Sequence, residues 1–207
     1  MTALLGALFS LYLLYLLWEA HAVRIARKKL AHVVHVNGTR GKSTVSRLIE
    51  AGLRAGGLRV FCKTTGTDPM TIDVNGREEL ICRRGKANIK EQIAVLRRAA
   101  AQNAQVLVVE CMAITPEFQQ TSQHDILRAD IGVITNVRRD HMDVMGDTLP
   151  RIADALCHTV PRRGILFTAE TVMTEWLKAA AEKNGSSFVC AEVRGDEGTL
   201  DFPENVA

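Results

Sequence analysis

The feature that most constrains this chain is a glycine-containing loop placed between two periodic segments. His32–Val36 before the loop is apolar enough for a buried strand, and Ser43–Ala55 after it has apolar residues at helical spacing. A strand, a glycine-rich turn and a helix together form the setting in which backbone N–H groups and a helix N-terminus bind phosphate. We therefore predict a nucleotide-binding loop that consists of Asn37, Gly38, Thr39, Arg40, Gly41, Lys42, Ser43 and Thr44.

Two side chains of this loop have the chemistry that a nucleotide requires. Lys42 is expected to reach the β- and γ-phosphates, and the Ser43 hydroxyl is expected to ligate Mg²⁺. The common motif also has a glycine five residues before Gly41, where this chain has Val36. By the motif rule the match is therefore partial, and a glycine-rich turn with a chance Gly-Lys-Ser is the alternative.

Two further segments place acidic side chains where predicted strands end. Glu110 follows four apolar residues, and Asp140, His141 and Asp143 follow the strand predicted at 131–135. Parallel strands end at one edge of a sheet, where open α/β sheets bind ligands. We predict that Glu110 holds Mg²⁺ directly or through water. For His141 two interpretations stay open, a metal ligand oriented by a carboxylate and a structural histidine.

Strand-like and helix-like segments alternate along the rest of the chain, and Asn75-Gly76 predicts a hairpin with a type I′ turn. This alternation predicts an α/β fold, a mostly parallel sheet with helices on both faces. Pro203 and Glu204 are predicted to open one more helix, so we expect the chain to be cut short at its C-terminus. Strands are predicted at 32–36, 59–62, 106–109, 131–135, 165–167 and 188–190, and helices at 43–55, 89–102, 152–159 and 171–183.

The N-terminal end is uncharged and strongly apolar. Ala3–Trp18 contains eight leucines, and a cluster of arginines and lysines follows it at 24–29. As a helix, residues 1–18 would be about 27 Å long, slightly less than the ~30 Å hydrocarbon core of a bilayer. A cleavable signal peptide would carry basic residues before the apolar run, and a buried core helix is the other alternative.

We therefore divide the chain into three parts. Residues 1–22 are predicted to be a single transmembrane anchor, residues 23–30 a basic linker, and residues 31–207 a nucleotide-binding domain. The positive-inside rule places that domain in the cytoplasm. The five scattered cysteines have no metal-binding spacing and fit reduced thiols there. A net charge of +3 is too small to indicate nucleic-acid binding, and no nucleic-acid partner is expected.

Together these motifs resemble the Mur ligase superfamily. Its central ATPase domain has a short GT-x-GK-[ST] loop without the distant glycine, an apolar strand ending in Glu, and a TN-xxx-DH-x-D segment. Within that superfamily the chain is similar to the ligase subunits of poly-γ-glutamate synthases, the CapB/PgsB type. The similarity rests on the apolar N-terminus and on NGTRGKST, KTTGTD (Lys63–Asp68), ECMA (Glu110–Ala113) and DHMDVMG (Asp140–Gly146).

The resemblance implies an ATP-dependent acid–amino acid ligase at the cell membrane. Such an enzyme phosphorylates a glutamate carboxylate and joins it to the amine of another glutamate, in capsule synthesis, with ADP and phosphate as products. It implies ATP and Mg²⁺ as cofactors, glutamate or poly-γ-glutamate as substrate, and other membrane subunits of a synthase as partners.

The same resemblance implies roles for individual residues. Lys42, Glu110 and His141 would be catalytic, with Ser43 and Glu110 on one Mg²⁺ and His141 on a second. A hydroxyl from the loop that carries Thr64, Thr65 and Thr67 would lie near the metal, and Thr65 is the one we assign to it.

Two departures from the family pattern stand out. Many Mur-type ligases have a modified lysine shortly after the Asp-His segment, whereas the first lysine after His141 here is Lys178. Family members also continue into a C-terminal domain that binds nucleotide and amino acid. A membrane-tethered P-loop ATPase and a non-catalytic truncated subunit that only binds synthase partners stay open as alternatives. Folylpolyglutamate or peptidoglycan-precursor ligation is a further one, although those relatives are soluble.

Overall fold

Eight strands and eight helical segments make up the part of the chain that the computed structural model describes, residues 2–83, 85 and 87–191. The helices are α1 Thr2–Lys28, α2 Lys42–Ala55, α3 Glu91–Ala101, α4 Pro116–Gln120, the π-helix Thr121–Leu127, α5 Met142–Met145, α6 Leu149–Cys157 and α7 Thr174–Lys183. The strands are β1 His32–Asn37, β2 Val60–Lys63, β3 Met70–Ile72, β4 Glu78–Leu80, β5 Val106–Glu110, β6 Ile131–Ile134, β7 Ile165–Thr168 and β8 Ser187–Cys190.

The strands form one sheet in the order β4-β3-β2-β5-β1-β6-β7-β8. β2, β5, β1, β6, β7 and β8 run parallel, and the β3–β4 hairpin is antiparallel. We call the edge at which the parallel strands end the carboxyl edge and the opposite one the amino edge. β1 lies between β5 and β6, so the loops after these three strands meet at the carboxyl edge.

Helices cover both faces of this sheet, as the sequence predicts. On one face, Val45, Ile49 and Leu53 of α2 pack on Val34, Val36 and other residues of β1, β2 and β5. On the other face, α1, α3 and the π-helix cover β1, β2 and β5, while α6 and α7 cover β6 and β7. Because strand side chains alternate between faces, the apolar residues of β1 and β5 serve both layers.

The predicted hairpin is present, but its turn is of a different type. A type I′ turn needs positive φ at both central residues. Here only Gly76 has positive φ, 81°, and its N–H donates to the carbonyl of Asp73. The Asp73 carboxylate also accepts from the N–H groups of Asn75 and Arg77, which favours a turn that starts at Asp73. Asn75 therefore sits one position before the left-handed residue.

The segment 116–127 is helical, although no helix is predicted there. Pro116 stands in its first turn, and the buried face of the segment carries Gln119, Ser122 and Gln123, all with 0% exposure. Apolar side chains join this buried face only near its end, at Ile126 and Leu127, so the hydrophobic pattern predicts no helix here.

His35 of β1 faces this polar helix surface. Its ring Nδ1 lies 2.8 Å from Oε1 of Gln123, and the side chain is fully buried. Burial is the main cause that lowers the pKa of His35 from 6.5 to about 4, with smaller contributions from nearby Lys63 and His124. The folded protein therefore holds this imidazole neutral near pH 5, whereas the unfolded chain protonates it.

We predict a loss of stability in acid that depends on His35. Because the pKa is depressed in the folded state, the contribution is present above pH 6.5 and is lost as pH falls toward 4. The shift amounts to about 3 kcal/mol of unfolding free energy. Urea unfolding between pH 7 and pH 4 should show a flatter pH dependence for His35→Gln than for the wild type, and identical slopes would contradict the assignment.

The N-terminal helix differs from the predicted division into anchor and linker. α1 runs without a break to Lys28, and Val23 and Ala26 are buried against the domain. Residues 23–28 are therefore helical and packed, because they bury apolar side chains on α3 and the π-helix. The helix predicted to start at Pro203 lies outside the described residues.

Candidate active site

The loop after β1 is shaped by two glycines. Gly41 has φ of 77° and stands directly before α2, so the helix begins at Lys42 with its free N–H groups at the carboxyl edge. Gly38 has φ of 132°, and a Cβ at this position would lie 2.1 Å from Oγ1 of Thr135. The loop therefore passes so close to the end of β6 that only glycine fits at Gly38.

Side chains from the loop after β6 hold the loop after β1 in place. Thr39 donates its hydroxyl to Oδ1 of Asn136 at 2.7 Å, and the same oxygen accepts from the backbone N–H of Arg40. Thr135 in turn donates to the Arg40 carbonyl at 2.6 Å. Thr39 and Asn136 are buried. The loop is thus fixed before any ligand binds, as an anion cradle of backbone amides requires.

Glu110 connects three segments at the carboxyl edge. It ends β5 and is buried, and its Oε2 accepts the Ser43 hydroxyl at 2.8 Å and the Thr65 N–H at 2.6 Å. The carboxylate therefore joins the first turn of α2 to the loop after β2. A hydroxyl and a carboxylate in contact at the start of a P-loop helix form an oxygen donor pair of the kind that Mg²⁺ prefers.

Lys42, Glu110 and His141 line one cavity of about 260 Å³. Lys42 bends back over its own loop and donates to the carbonyls of Gly38 at 2.8 Å and Thr39 at 3.3 Å. His141 stands before α5 with φ of 45°, and its side chain is about half exposed. The other lining residues are Asn37, Gly38, Thr39, Thr65, Gly66, Arg83, Ala87, Cys111, Met112, Ala113, Ile114 and Met145.

The side chains of the remaining residues of the predicted site have partners of their own or lie in solvent. Asn37 is buried, and its amide nitrogen donates to Gln119 and to Thr159, so that side chain is engaged on the helix-covered side. Thr44 is exposed on α2, and Arg40 forms an ion pair with Asp140 at 3.4 Å. Thr65 contacts Glu110 through its backbone rather than its hydroxyl. Thr64 is buried and Thr67 is exposed.

His141 does not form a metal cluster with its acidic neighbours. Its Nε2 lies 4.0 Å from Oδ1 of Asp140, and its backbone N–H donates to the same carboxylate at 3.0 Å. Within the described residues, no group of three or more His, Cys, Asp or Glu side chains is arranged to hold a metal ion. A metal at this edge would therefore depend on Glu110, Ser43 and ligands from a bound nucleotide.

A buried charge network next to the cavity has no counterpart in the sequence-based site. Lys63 ends β2 with 0% exposure, and its Nζ lies 2.8 Å from Oε1 of Glu91. Arg83, which lines the cavity, binds both oxygens of the same carboxylate at 2.8 and 3.0 Å. Burial lowers the pKa of Lys63, and the contact with Glu91 opposes that shift. Two cations thus share one carboxylate, which gives this network one net positive charge beside the cavity.

We predict that Lys63→Met destabilises the fold by about 3 kcal/mol, through loss of a buried ion pair. This is at the low end of the cost of breaking a buried pair, because Glu91 keeps its second partner, Arg83. Urea unfolding measures the effect, with the exposed Lys178→Met as the matched control. Equal stability of the two variants would contradict the structural role of this pair.

Sequence comparison places the chain among known proteins. The Mur ligase middle domain matches residues 36–196. The Capsule biosynthesis protein CapB of Bacillus anthracis is 36% identical over 194 residues, which are 93% of this chain and 42% of that protein. The PGA synthase CapB of Bacillus subtilis (strain 168) is 42% identical over 161 residues, 77% of this chain and 41% of that protein. The predicted resemblance is thereby confirmed, and the chain spans about two fifths of these relatives.

Solved structures confirm the fold. The FPGS-AMPPCP-folate complex superposes with a TM-score of 0.61 at 18% identity and covers 84% of this chain and 48% of its own. E. coli FolC in complex with ADP gives a TM-score of 0.60 at 16% identity, with 82% of this chain and 46% of its own covered. At these identities the likeness concerns the arrangement of helices and strands.

Proposed function

The chain belongs to the Mur ligase family through its middle domain, and from this premise we propose that it is the nucleotide-activating part of an ATP-dependent acid–amino acid ligase. The observation that carries the proposal is that Lys42 and Glu110 line one cavity at the carboxyl edge, and that Ser43 donates its hydroxyl to Glu110 there. Backbone amides and a lysine can bind the phosphate oxygens of a triphosphate, and a hydroxyl–carboxylate pair can bind its Mg²⁺.

We propose Mg²⁺ as the ion that accompanies the nucleotide. Mg²⁺ sites in phosphoryl-transfer enzymes use one or two protein oxygens together with phosphate oxygens and water. Ser43 and Glu110 supply such oxygens, so the residues present fit the ion. When bound, Mg²⁺ would neutralise charge on the β- and γ-phosphates.

Lys42 and the loop amides stabilise the transferred phosphoryl in this proposal. Lys42 now binds two carbonyls of its own loop, and it would exchange them for phosphate oxygens on nucleotide binding. The carboxylate oxygen of the substrate attacks the γ-phosphorus and ADP leaves, which gives an acyl phosphate. The amine of the second substrate then attacks the acyl carbon, inorganic phosphate leaves, and the amine loses a proton.

We propose glutamate, or a growing poly-γ-glutamate chain, as the substrate. The support is the similarity to CapB proteins, one of which is a capsule biosynthesis protein and the other a PGA synthase. Arg83 in the cavity wall, which shares the carboxylate of Glu91 with the buried Lys63, suits an anionic substrate beside the nucleotide. His141 remains a proposed site residue, in the same cavity as Lys42, and its nitrogen suits an outer role better than direct Mg²⁺ binding.

We also propose that α1 anchors the protein in the cell membrane, with the domain in the cytoplasm and membrane subunits of a synthase as partners. α1 is long and apolar enough to cross a bilayer, and the window that spans it has none of its residues buried. We propose the same three-part division of the chain, with residues 1–22 as the anchor, of which 2–18 are the apolar part, residues 23–30 as the basic segment in which α1 ends, and residues 31–207 as the ATP-binding domain.

The test is glutamate-dependent release of ADP by the full chain in detergent or vesicles, alone and with the remaining synthase subunits. The ligase proposal predicts ADP release that depends on both glutamate and Mg²⁺. ADP release without dependence on glutamate would favour a membrane-tethered P-loop ATPase. Absence of both nucleotide binding and ADP release would favour a subunit that only binds its partners.

A further inference from the structure

We propose that the carboxyl edge of the sheet, which holds the nucleotide cavity, faces the membrane in which the apolar part of α1 lies. The inference rests on the proposed anchor and adds the orientation of the catalytic domain to it. It follows from the direction in which α1 crosses the domain, and from the contacts that fix it there.

The C-terminal end of α1 lies at the amino edge. Arg27 forms an ion pair with Asp130, directly before β6, at 2.9 Å, and also donates to the carbonyl of Arg128. The chain then enters β1 at once, and the N–H of Ala31 binds the Gln105 carbonyl just before β5. Since β1, β5 and β6 all start here, this end of α1 marks the amino edge.

The middle of α1 lies at the carboxyl edge. Glu19 is nine residues before Lys28, about 13 Å along a helix. Its carboxylate lies 3.6 Å from Nζ of Lys90, the residue before α3. The next residue, Glu91, binds Lys63 at the end of β2 and Arg83 in the wall of the cavity. α1 therefore runs from the carboxyl edge to the amino edge, and all residues before Glu19 point beyond the carboxyl edge.

The helix is docked on the domain over this distance and is not a loose tether. Val23 and Ala26 are 6% exposed and belong to the same core cluster as residues of α3 and the π-helix. At the end of the apolar segment, the guanidinium of Arg97 on α3 lies 5.5 Å from the ring centre of Trp18. Contacts at Trp18, Glu19, Val23 and Ala26 hold this unbroken helix in one direction relative to the sheet.

The segment that projects past the carboxyl edge has the length and composition of a membrane-spanning helix. Residues 2–18 form about 26 Å of helix, close to the thickness of the hydrocarbon core. The segment carries no charged side chain, and Tyr15 and Trp18 stand at its lower end, where aromatic belts form. Insertion of this segment up to Trp18 would bring the carboxyl edge to the headgroup level.

Two consequences follow for the basic residues and for the product. The basic residues near the end of α1 lie on the side of the domain away from the membrane, toward the amino edge. They therefore do not form the membrane contact that their sequence position suggests; these residues are Arg24, Lys28 and Lys29. The cavity at the carboxyl edge would open beside the membrane, so an anionic polymer made there would emerge at the bilayer surface. A membrane-embedded acceptor could then take it without release into the cytosol.

The orientation can be tested by quenching of a fluorophore with lipids that carry a nitroxide in the headgroup. The hairpin β3–β4 offers two matched positions, because exposed Cys82 follows β4 at the carboxyl edge and exposed Asn75 is at the opposite turn. Seven residues of extended chain separate them by up to about 23 Å. Burial raises the pKa of Cys62 and Cys157 to about 12 and that of Cys111 to about 11, so maleimide labelling is directed to exposed thiols.

Both proteins are full chains that carry Cys190→Ser, since Cys190 is also exposed. One is labelled at Cys82, and the other carries Cys82→Ser with Asn75→Cys and is labelled there. In vesicles of phosphatidylcholine and phosphatidylglycerol, we expect quenching at Cys82 to be several-fold stronger than at Asn75→Cys. Equal or reversed quenching in a chain that floats with the vesicles would overturn the orientation and leave the anchor intact. A chain that does not float after a high-salt wash would overturn both.

A second pair of variants ties the orientation to the docking of α1. Val23→Asp places a charge in the buried contact, whereas Ile25→Asp places it on the exposed side of the same helix. Both variants should still float, because the apolar segment is unchanged. The quenching difference should disappear in Val23→Asp and persist in Ile25→Asp. A difference that survives in Val23→Asp would show that this contact does not set the orientation.

Discussion

Replacement of Lys42 by alanine should lower nucleotide turnover at least about a hundredfold, the usual loss when one preorganised donor to a developing charge is removed. Lys42 lines the cavity and binds only two carbonyls of its own loop. The free energy of unfolding should therefore change by no more than about 1 kcal/mol. The measurements are Mg²⁺-dependent binding of a fluorescent ATP analogue, ADP release, and urea unfolding.

The matched control for this change is Lys178→Ala, since Lys178 is exposed on α7 and lies outside the cavity. It should keep the turnover and nucleotide affinity of the wild type. If folded Lys42→Ala also kept both, the assignment of the loop as a nucleotide site would be wrong.

Replacement of Glu110 by glutamine should abolish the Mg²⁺ dependence of nucleotide binding and reduce turnover by about a hundredfold or more. The glutamine carbonyl can still accept from Ser43 and from the N–H of Thr65, so the local structure should persist. What is lost is the negative charge that a divalent cation needs. Glu110→Gln thus separates metal binding from the structural role of this side chain.

His141→Ala should have a smaller effect, a loss of about tenfold, because a residue that supports a metal site from outside contributes less than a direct ligand. The control for Glu110→Gln, the variant with which His141→Ala is compared, is Glu117→Gln, which removes an exposed carboxylate on α4. A loss in His141→Ala as large as that in Glu110→Gln would make His141 a direct participant. It would also contradict the weaker role that its half-exposed loop position indicates.

The positions of Lys42, Ser43 and Glu110 could be predicted because each is tied to the end of a regular element. A strand of apolar residues fixes where Glu110 ends, and a glycine before an amphipathic helix fixes where Lys42 and Ser43 begin. The position of His141 does not follow from a regular element, since it comes several residues after its strand and its backbone has positive φ. The distance along the chain from a regular element sets how well such a residue can be placed.

Residues whose role depends on distant partners could not be predicted. Lys63 begins the segment KTTGTD, yet its burial and its shared carboxylate with Arg83 depend on how α3 packs beside β2. The engagement of Asn37 with Gln119 and Thr159, across 82 and 122 residues, likewise arises only in the folded chain. A local signal that could have pointed to either contact does not exist.

By itself the sequence determined the fold class, the glycine-containing loop between β1 and α2, and the apolar N-terminal helix, because these depend on periodicity and on residues that are neighbours along the chain. The tertiary structure alone decided that Thr39 and Asn136 fix the loop, that Gln119 and Gln123 form a helix with a polar buried face, and that α1 docks along α3. The physical reason is that a hydrogen bond or an ion pair between distant segments needs both partners at a defined distance. That distance is set by the packing of whole helices on the sheet, which no local pattern of residues contains.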